Sequence, residues 1–165
     1  MNEFKIRKAG PEDVGLVLSF IRQLAEYEKM LEEVTADEQT LYHSMFVKRA
    51  ANALILEEDG KAIGFALYFF NFSTFLGLPG MYVEDVFIQP DHRGKGYGKA
   101  VFCYLAKIAV EENCGRMEWT CLDWNEPSLR FYHHIGAIPM DQWTVQRLTG
   151  EALHKLAQSQ SQSQS

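Results

Sequence analysis

The sequence predicts an α/β fold, a mixed sheet with helices on both faces. Three observations carry that expectation. Alternating apolar runs flank Asp59-Gly60, the signature of a β-hairpin. An alternating run from Met81 enters a glycine-rich turn and then a helical stripe, which is a strand–turn–helix unit. With 165 residues, 47% of them apolar, the chain is long enough to bury a sizeable core as one domain.

The elements follow in order. Phe4 to Arg7 alternates as a short strand, and Pro11-Glu12-Asp13 opens a helix with Pro near its first position and acids in its first turn. Val14, Leu16, Val17, Leu18, Phe20, Ile21, Leu24 and Ala25 supply its apolar stripe. Thr35 with Glu38 resembles a capping box for a second helix through Phe46. Ala53 to Glu57 and Ala62 to Asn71 are the hairpin strands, Ser73 to Gly80 a loop, and Met81 to Gln89 the next strand. Gly98 to Glu112 is a helix closed by Cys114-Gly115, and Arg116 to Leu122 a strand. Asn125 caps a helix with Pro127 in its first turn, which ends near Gly136. Trp143 to Leu148 is a last strand and Gly150 to Ala157 a short helix. One domain is expected over residues 1–157. Residues 158–165 form a Gln/Ser tail of low complexity, expected to be disordered.

Composition narrows the function. A net charge of −6 argues against nucleic acid as the main partner, because a phosphate backbone demands a basic face. Cys103, Cys114 and Cys121 are an odd set without a CxxC pair, which fits a reducing, cytoplasmic setting; Cys103 and Cys121 fall in patterns that place them in the core. No apolar run is long enough to span a membrane, and Met1-Asn2-Glu3-Phe4-Lys5 does not read as a secretory signal. His43, His92, His133, His134 and His154 have no ligand spacing with the cysteines, so no metal site is expected.

The densest chemical signal is Arg93-Gly94-Lys95-Gly96-Tyr97-Gly98. Strand, glycine turn and helix start make an anion site from backbone alone, since the unpaired N–H groups at a helix N-terminus point outward and glycine admits a close phosphate. A Rossmann fingerprint would have GxGxxG near the first strand, and a Walker loop would have Ser or Thr after its lysine; neither pattern is present. A glycine turn without a ligand remains an alternative on this motif alone.

The remaining pattern, Arg-x-x-Gly-x-Gly, resembles the pyrophosphate loop of the GCN5-related N-acetyltransferases. Leu24-Ala25-Glu26-Tyr27-Glu28, Phe75-Leu76-Gly77, Tyr82-Val83-Glu84-Asp85, Asp123-Trp124-Asn125-Glu126-Pro127-Ser128 and Phe131-Tyr132 extend the likeness from Phe4 to Ala157. Together they resemble the diamine (spermidine/spermine) N-acetyltransferase subfamily. That resemblance implies a mostly antiparallel sheet splayed between its fourth and fifth strands. It implies acetyl-coenzyme A as cosubstrate, a small-molecule amine as acceptor, and a homodimer in which the C-terminal strand contributes to the interface.

The resemblance also implies roles for residues. Glu84 matches the acid that binds substrate and removes its proton, and Tyr132 the general acid to the departing thiolate. A bulge before the glycine loop would free a backbone N–H toward the thioester carbonyl, with Val86, Phe87 and Ile88 lining the pantetheine arm. Gly94, Lys95, Gly96, Tyr97, Gly98 and Lys99 would surround the pyrophosphate, with Arg93 adding charge. Asn125 and Ser128 match residues near the thiol end. Tyr27, Glu28, Glu84, Asp85, Glu118, Trp124 and Asp141 match, or nearly match, substrate positions.

The residues themselves support part of this. Glu84 alternates with Tyr82, Val86 and Ile88, which puts it on a partly apolar strand face where a carboxylate can hold a raised pKa. A tyrosine and a thiol have comparable acidity, so proton transfer between them needs no large shift. Several acids around aromatic walls attract an amine. Similar motifs occur in relatives that acetylate thialysine or other short amines, and a binding module without turnover is the non-enzymatic alternative.

Overall fold

The computed structural model describes residues 2–159. The chain forms two compact units, the first ending at Thr120 and the second beginning at Cys121.

The first unit is built on a five-stranded sheet in the order β1-β2-β3-β4-β5. These strands are β1 (Phe4–Lys8), β2 (Asn52–Glu58), β3 (Lys61–Ser73), β4 (Leu78–Ile88) and β5 (Met117–Glu118). The first four pair antiparallel, while β5 runs parallel to β4. Helices α1 (Val14–Tyr27), α2 (Glu38–Tyr42) and α3 (Tyr97–Glu111) accompany the sheet.

Strand periodicity divides the core in two. Along β2, Leu54 and Leu56 join one cluster with Val101, Leu105 and Ala109 of α3. Ala53 and Ile55 join the other, with Val17 and Phe20 of α1. Along β3, Ala66 and Tyr68 face the α3 side and Phe65 and Leu67 the α1 side. Both faces of the sheet are therefore covered, which explains the unbroken apolar runs Ala53 to Leu56 in β2 and Ala62 to Phe70 in β3. Phe20 stacks at 5.9 Å on Phe65, and both are essentially inaccessible. Truncating either to alanine would cost about 3–5 kcal/mol.

Local chemistry sets the boundaries. The chain enters α1 through a 3₁₀ turn at Pro11–Asp13. Buried Asp13 accepts from the Gly10 N–H at 2.8 Å and takes both Arg7 guanidinium nitrogens, at 2.8 and 3.0 Å. The Arg7 bonds hold its carboxyl below the usual range. The cap of α2 is Asp37, whose Oδ1 accepts from the Thr40 N–H at 2.7 Å. The Thr35 capping box does not form, because Glu38 is the first helical residue rather than the third. A π-helical turn, His43–Val47, continues α2. The helix α3 ends on Asn113, which takes the left-handed conformation expected of Gly115 (φ 59°).

Other boundaries differ from the sequence reading. The Ser73 to Gly80 loop is mostly sheet: Ser73 pairs with Leu78 and Asn71 with Gly80, leaving only a short turn closed by Gly77 at φ 67°. The Arg116 to Leu122 strand shrinks to Met117–Glu118, because β4 and β5 stay in register at only two residue pairs. Cys103 is exposed rather than core. It follows Phe102 on α3, and one residue turns it off the buried stripe of Val101, Phe102 and Leu105.

The second unit holds α4 (Glu126–His134) and α5 (Gly150–Gln158). Asn125 caps α4, its Oδ1 accepting from the Ser128 N–H at 3.4 Å, and Gly136 leaves it at φ 96°. Trp143 to Leu148 is not a strand among the described residues. Its apolar alternation is genuine, but a strand requires a partner ladder, and Trp143 and Val145 are exposed. Of the expected disordered tail, Gln158 closes α5 and residues 160–165 lie outside the described residues.

Candidate functional site

The site in the first unit is built where β4 changes face. Leu67 of β3 pairs with Asp85, yet Tyr68 pairs with Val83, so Glu84 is an extra residue. This is a β-bulge, and it resets the alternation. Met81 and Val83 before it join the α3-side core; after it Val86 and Ile88 do. Phe87 faces α1, its ring 6.3 Å from Phe20. Glu84 therefore does not share a face with Val86 and Ile88, as uninterrupted alternation would require. It is exposed, at the point where the strand kinks.

The bulge places Asp85 where its charge is disfavoured. Burial, then the charges of Glu84 and Glu28, push its carboxyl up to about 7. Glu28, the C-cap of α1, is also raised by burial. Glu84 and Glu28, from two segments, thus both act on Asp85, whose carboxyl is poised to exchange a proton near neutrality. The family resemblance implies only a substrate contact for Asp85. The signal that would have separated it from Glu84 is the bulge, which residue alternation cannot reveal.

The opposite edge of β4 is mostly open. Beyond Met81↔Met117 and Tyr82↔Glu118, no ladder pair with β5 continues along Val83–Ile88 among the described residues. The ladder ends there, leaving an edge to which an extended group can hydrogen-bond like a further strand.

After β4, Pro90–His92 makes a 3₁₀ turn and the glycine loop leads into α3. Gly94 and Gly96 hold φ of +78° and +82°, the left-handed region that favours glycine. A Cβ added at Gly94, Gly96 or Gly98 would meet nothing within 4 Å, so the loop backbone faces open space. The N–H groups of Tyr97, Gly98 and Lys99 precede the first bond of the helix, Ala100 N–H to the Gly96 carbonyl at 3.2 Å. Room, outward donors and a helix dipole together fit a pyrophosphate.

The loop's side chains are mostly engaged elsewhere. Arg93 Nε donates to the Ile88 carbonyl at 2.7 Å, and its guanidinium lies over the rings of Tyr27, 5.0 Å away, and Phe87, 5.6 Å away. The cation over Tyr27 is thus the chain's own. Lys95 pairs with Glu58 at 2.9 Å, and Tyr97 is buried against Phe4 with its hydroxyl donating to Glu58. Lys99 follows on α3. Glu118 pairs with Arg116 at 3.2 Å.

The second unit carries the other expected residues. Asn125 and Ser128 form the cap of α4, Tyr132 lies half-buried one turn further on with its ring 5.7 Å from Phe131, and Trp124 and Asp141 are exposed. Among the described residues no cluster of His, Cys, Asp or Glu could hold a metal ion, and no helix is long and apolar enough to cross a membrane.

A bulged fourth strand, an edge left unpaired beyond Glu118 and a glycine loop at a helix N-terminus make a site with room for a phosphorylated ligand lying along an open strand. Residues 19–137 match the model of the Acetyltransferase (GNAT) family, and the chain belongs to that family. It is 33% identical over 164 residues to a thialysine N-epsilon-acetyltransferase from Bos taurus, covering 92% of this chain and 96% of that one. It is 27% identical to a Homo sapiens spermidine/spermine N(1)-acetyltransferase-like protein 1, over 95% of this chain and 24% of that longer protein. Among solved structures, an integron cassette protein from the mobile metagenome of V. cholerae superposes with a TM-score of 0.78 at 31% identity, covering 94% of this chain and 98% of that one.

Proposed function

We propose that this acetyltransferase transfers acetyl from acetyl-coenzyme A to the primary amine of a small polyamine or diamine, by direct attack within a ternary complex. The observation that carries the reading is the Glu28–Glu84–Asp85 group beside the bulge. It supplies negative charge for a cationic chain and, in Asp85, a carboxyl held at about 7. Bound acetyl-coenzyme A would supply the activated thioester.

The chain's own residues do the rest. The backbone of Gly94–Lys99 holds the pyrophosphate, and the open edge of Val86–Ile88 pairs with the pantetheine arm. An N–H freed at the bulge stabilises the carbonyl oxygen as it becomes anionic. Glu84, with Asp85 beside it, accepts the proton that the ammonium must lose before attack. Tyr132 returns a proton to the departing sulfur, while Asn125 and Ser128 orient the thiol end. Tyr27, Glu118, Trp124 and Asp141 complete the substrate contacts.

A second acceptor class, thialysine-type amino acids, is favoured by the 33% identical bovine relative. One difference between them is the carboxylate that an amino acid carries and a polyamine lacks. Homodimerisation belongs to the same reading. The exposed, alternating Trp143 and Val145 are what a strand awaiting a ladder from a second copy would present.

Thiol release from acetyl-coenzyme A, assayed over a panel of spermidine, spermine, putrescine, thialysine and ornithine, tests the acceptor. A polyamine with the highest kcat/KM supports the first reading, and thialysine the second. Release with none of them leaves a binding module. Glu84→Gln should lower kcat at neutral pH with partial recovery at higher pH; unchanged kinetics would remove Glu84 as the base.

A further inference from the structure

One buried carboxylate outside the assigned residues gathers the glycine loop. Glu58 is the last residue of β2 and is 7% exposed. An ion so enclosed is retained only with partners. It accepts from Lys95 Nζ at 2.9 Å, from His92 Nδ1 at 2.7 Å, from Asn2 Nδ2 at 3.1 Å and from the Tyr97 hydroxyl. Hydrogen bonds from Tyr97 and then Lys95 hold its carboxyl down at about 2, so it remains charged at physiological pH. The same bond pushes the Tyr97 phenol up to about 12.

Three of the four donors come from one loop, and they divide it into two sides. His92, Lys95 and Tyr97 turn to Glu58. Gly94 and Gly96, interleaved with them, take positive φ and leave open space at the Cβ position. The carboxylate thus holds the side chains on one side and leaves the backbone free on the other.

We propose that Glu58 is a positioning residue for the phosphates of acetyl-coenzyme A. It fixes the loop in its binding shape and engages the Lys95 charge, so that phosphate affinity comes from loop backbone and the start of α3 rather than from Lys95. This rests on the acetyl-coenzyme A reading above.

The test is calorimetry with coenzyme A and steady-state kinetics on the full chain. Glu58→Gln keeps the shape but turns charge-assisted bonds into weaker ones. It should raise the Kd for coenzyme A and the KM for acetyl-coenzyme A about tenfold, with kcat at saturation within about twofold and the amine KM unchanged. Lys95→Met should weaken binding less, and the double variant should stay within about twofold of Glu58→Gln, because partners of one interaction do not lose it twice. Losses that add, or exceed their sum, assign Lys95 to the phosphate and overturn the proposal, as does an unchanged Kd in Glu58→Gln. If Glu58→Gln fails to fold by circular dichroism, Tyr97→Phe removes one donor and should raise the same constants about threefold; no rise refutes the proposal. A wild-type chain that binds no coenzyme A overturns the cofactor reading itself, and this proposal with it.

Discussion

Replacing Asp85 by asparagine should make the free protein more stable at alkaline pH while damaging its chemistry. Burial and the charges of Glu84 and Glu28 raise the Asp85 carboxyl from 3.8 to about 7. The folded chain therefore binds the proton more tightly than the unfolded chain. Below about pH 4 both states are protonated, and the substitution gains nothing. As pH rises, the unfolded state ionises first and is favoured, until the folded carboxyl titrates near 7 and the penalty levels off. Roughly three pKa units at 1.36 kcal/mol each set the plateau at no more than about 4 kcal/mol. At pH 4.5 the same arithmetic leaves about 1 kcal/mol. Urea denaturation of wild type and Asp85→Asn at pH 4.5 and 8.5 reads the difference directly. A gain equal at both pH values, or absent at pH 8.5, would show that Asp85 titrates as an ordinary carboxylate. In the amine assay the same variant should lose kcat/KM, the usual exchange of stability for a strained functional group.

Other outcomes follow from the same geometry. Tyr132→Phe should lower kcat about a hundredfold with little change in coenzyme A affinity, and a wild-type rate in a thiol-release assay would end its role as acid. Gly96→Ala should weaken coenzyme A binding in calorimetry and cost about 1–2 kcal/mol in stability. The cause is the positive φ and not a collision, since a Cβ there meets nothing within 4 Å. Asn125→Ala removes the α4 cap and should cost about 1 kcal/mol by thermal melting, while Asn125→Asp, which still caps, should cost less.

Much of this protein was legible in residue order. The Asp59-Gly60 hairpin, the α1 and α3 stripes, the glycine loop and the Asn125 cap each depend on neighbours within one turn or one strand, so local pattern suffices to find them. The Trp143–Leu148 strand and the long form of β5 failed for one reason: alternation states that a segment could pair, and pairing is decided by a distant ladder. Cys103 failed by a single residue of helical phase.

The functional details divide along the same line. The sequence by itself determined that a glycine-rich loop follows an acidic strand and opens a helix, because the conformational freedom of glycine and the unpaired N–H groups of a helix start are local properties. Only the tertiary structure decided which acids and cations meet one another. The register shift opposite Leu67 makes Glu84 the bulged residue and puts Asp85 beside Glu28. The end of β2 brings Glu58 to the loop, where Lys95 and Tyr97 donate to it. Burial and charge proximity are properties of chain segments tens of residues apart, and they come into being only when the sheet is assembled.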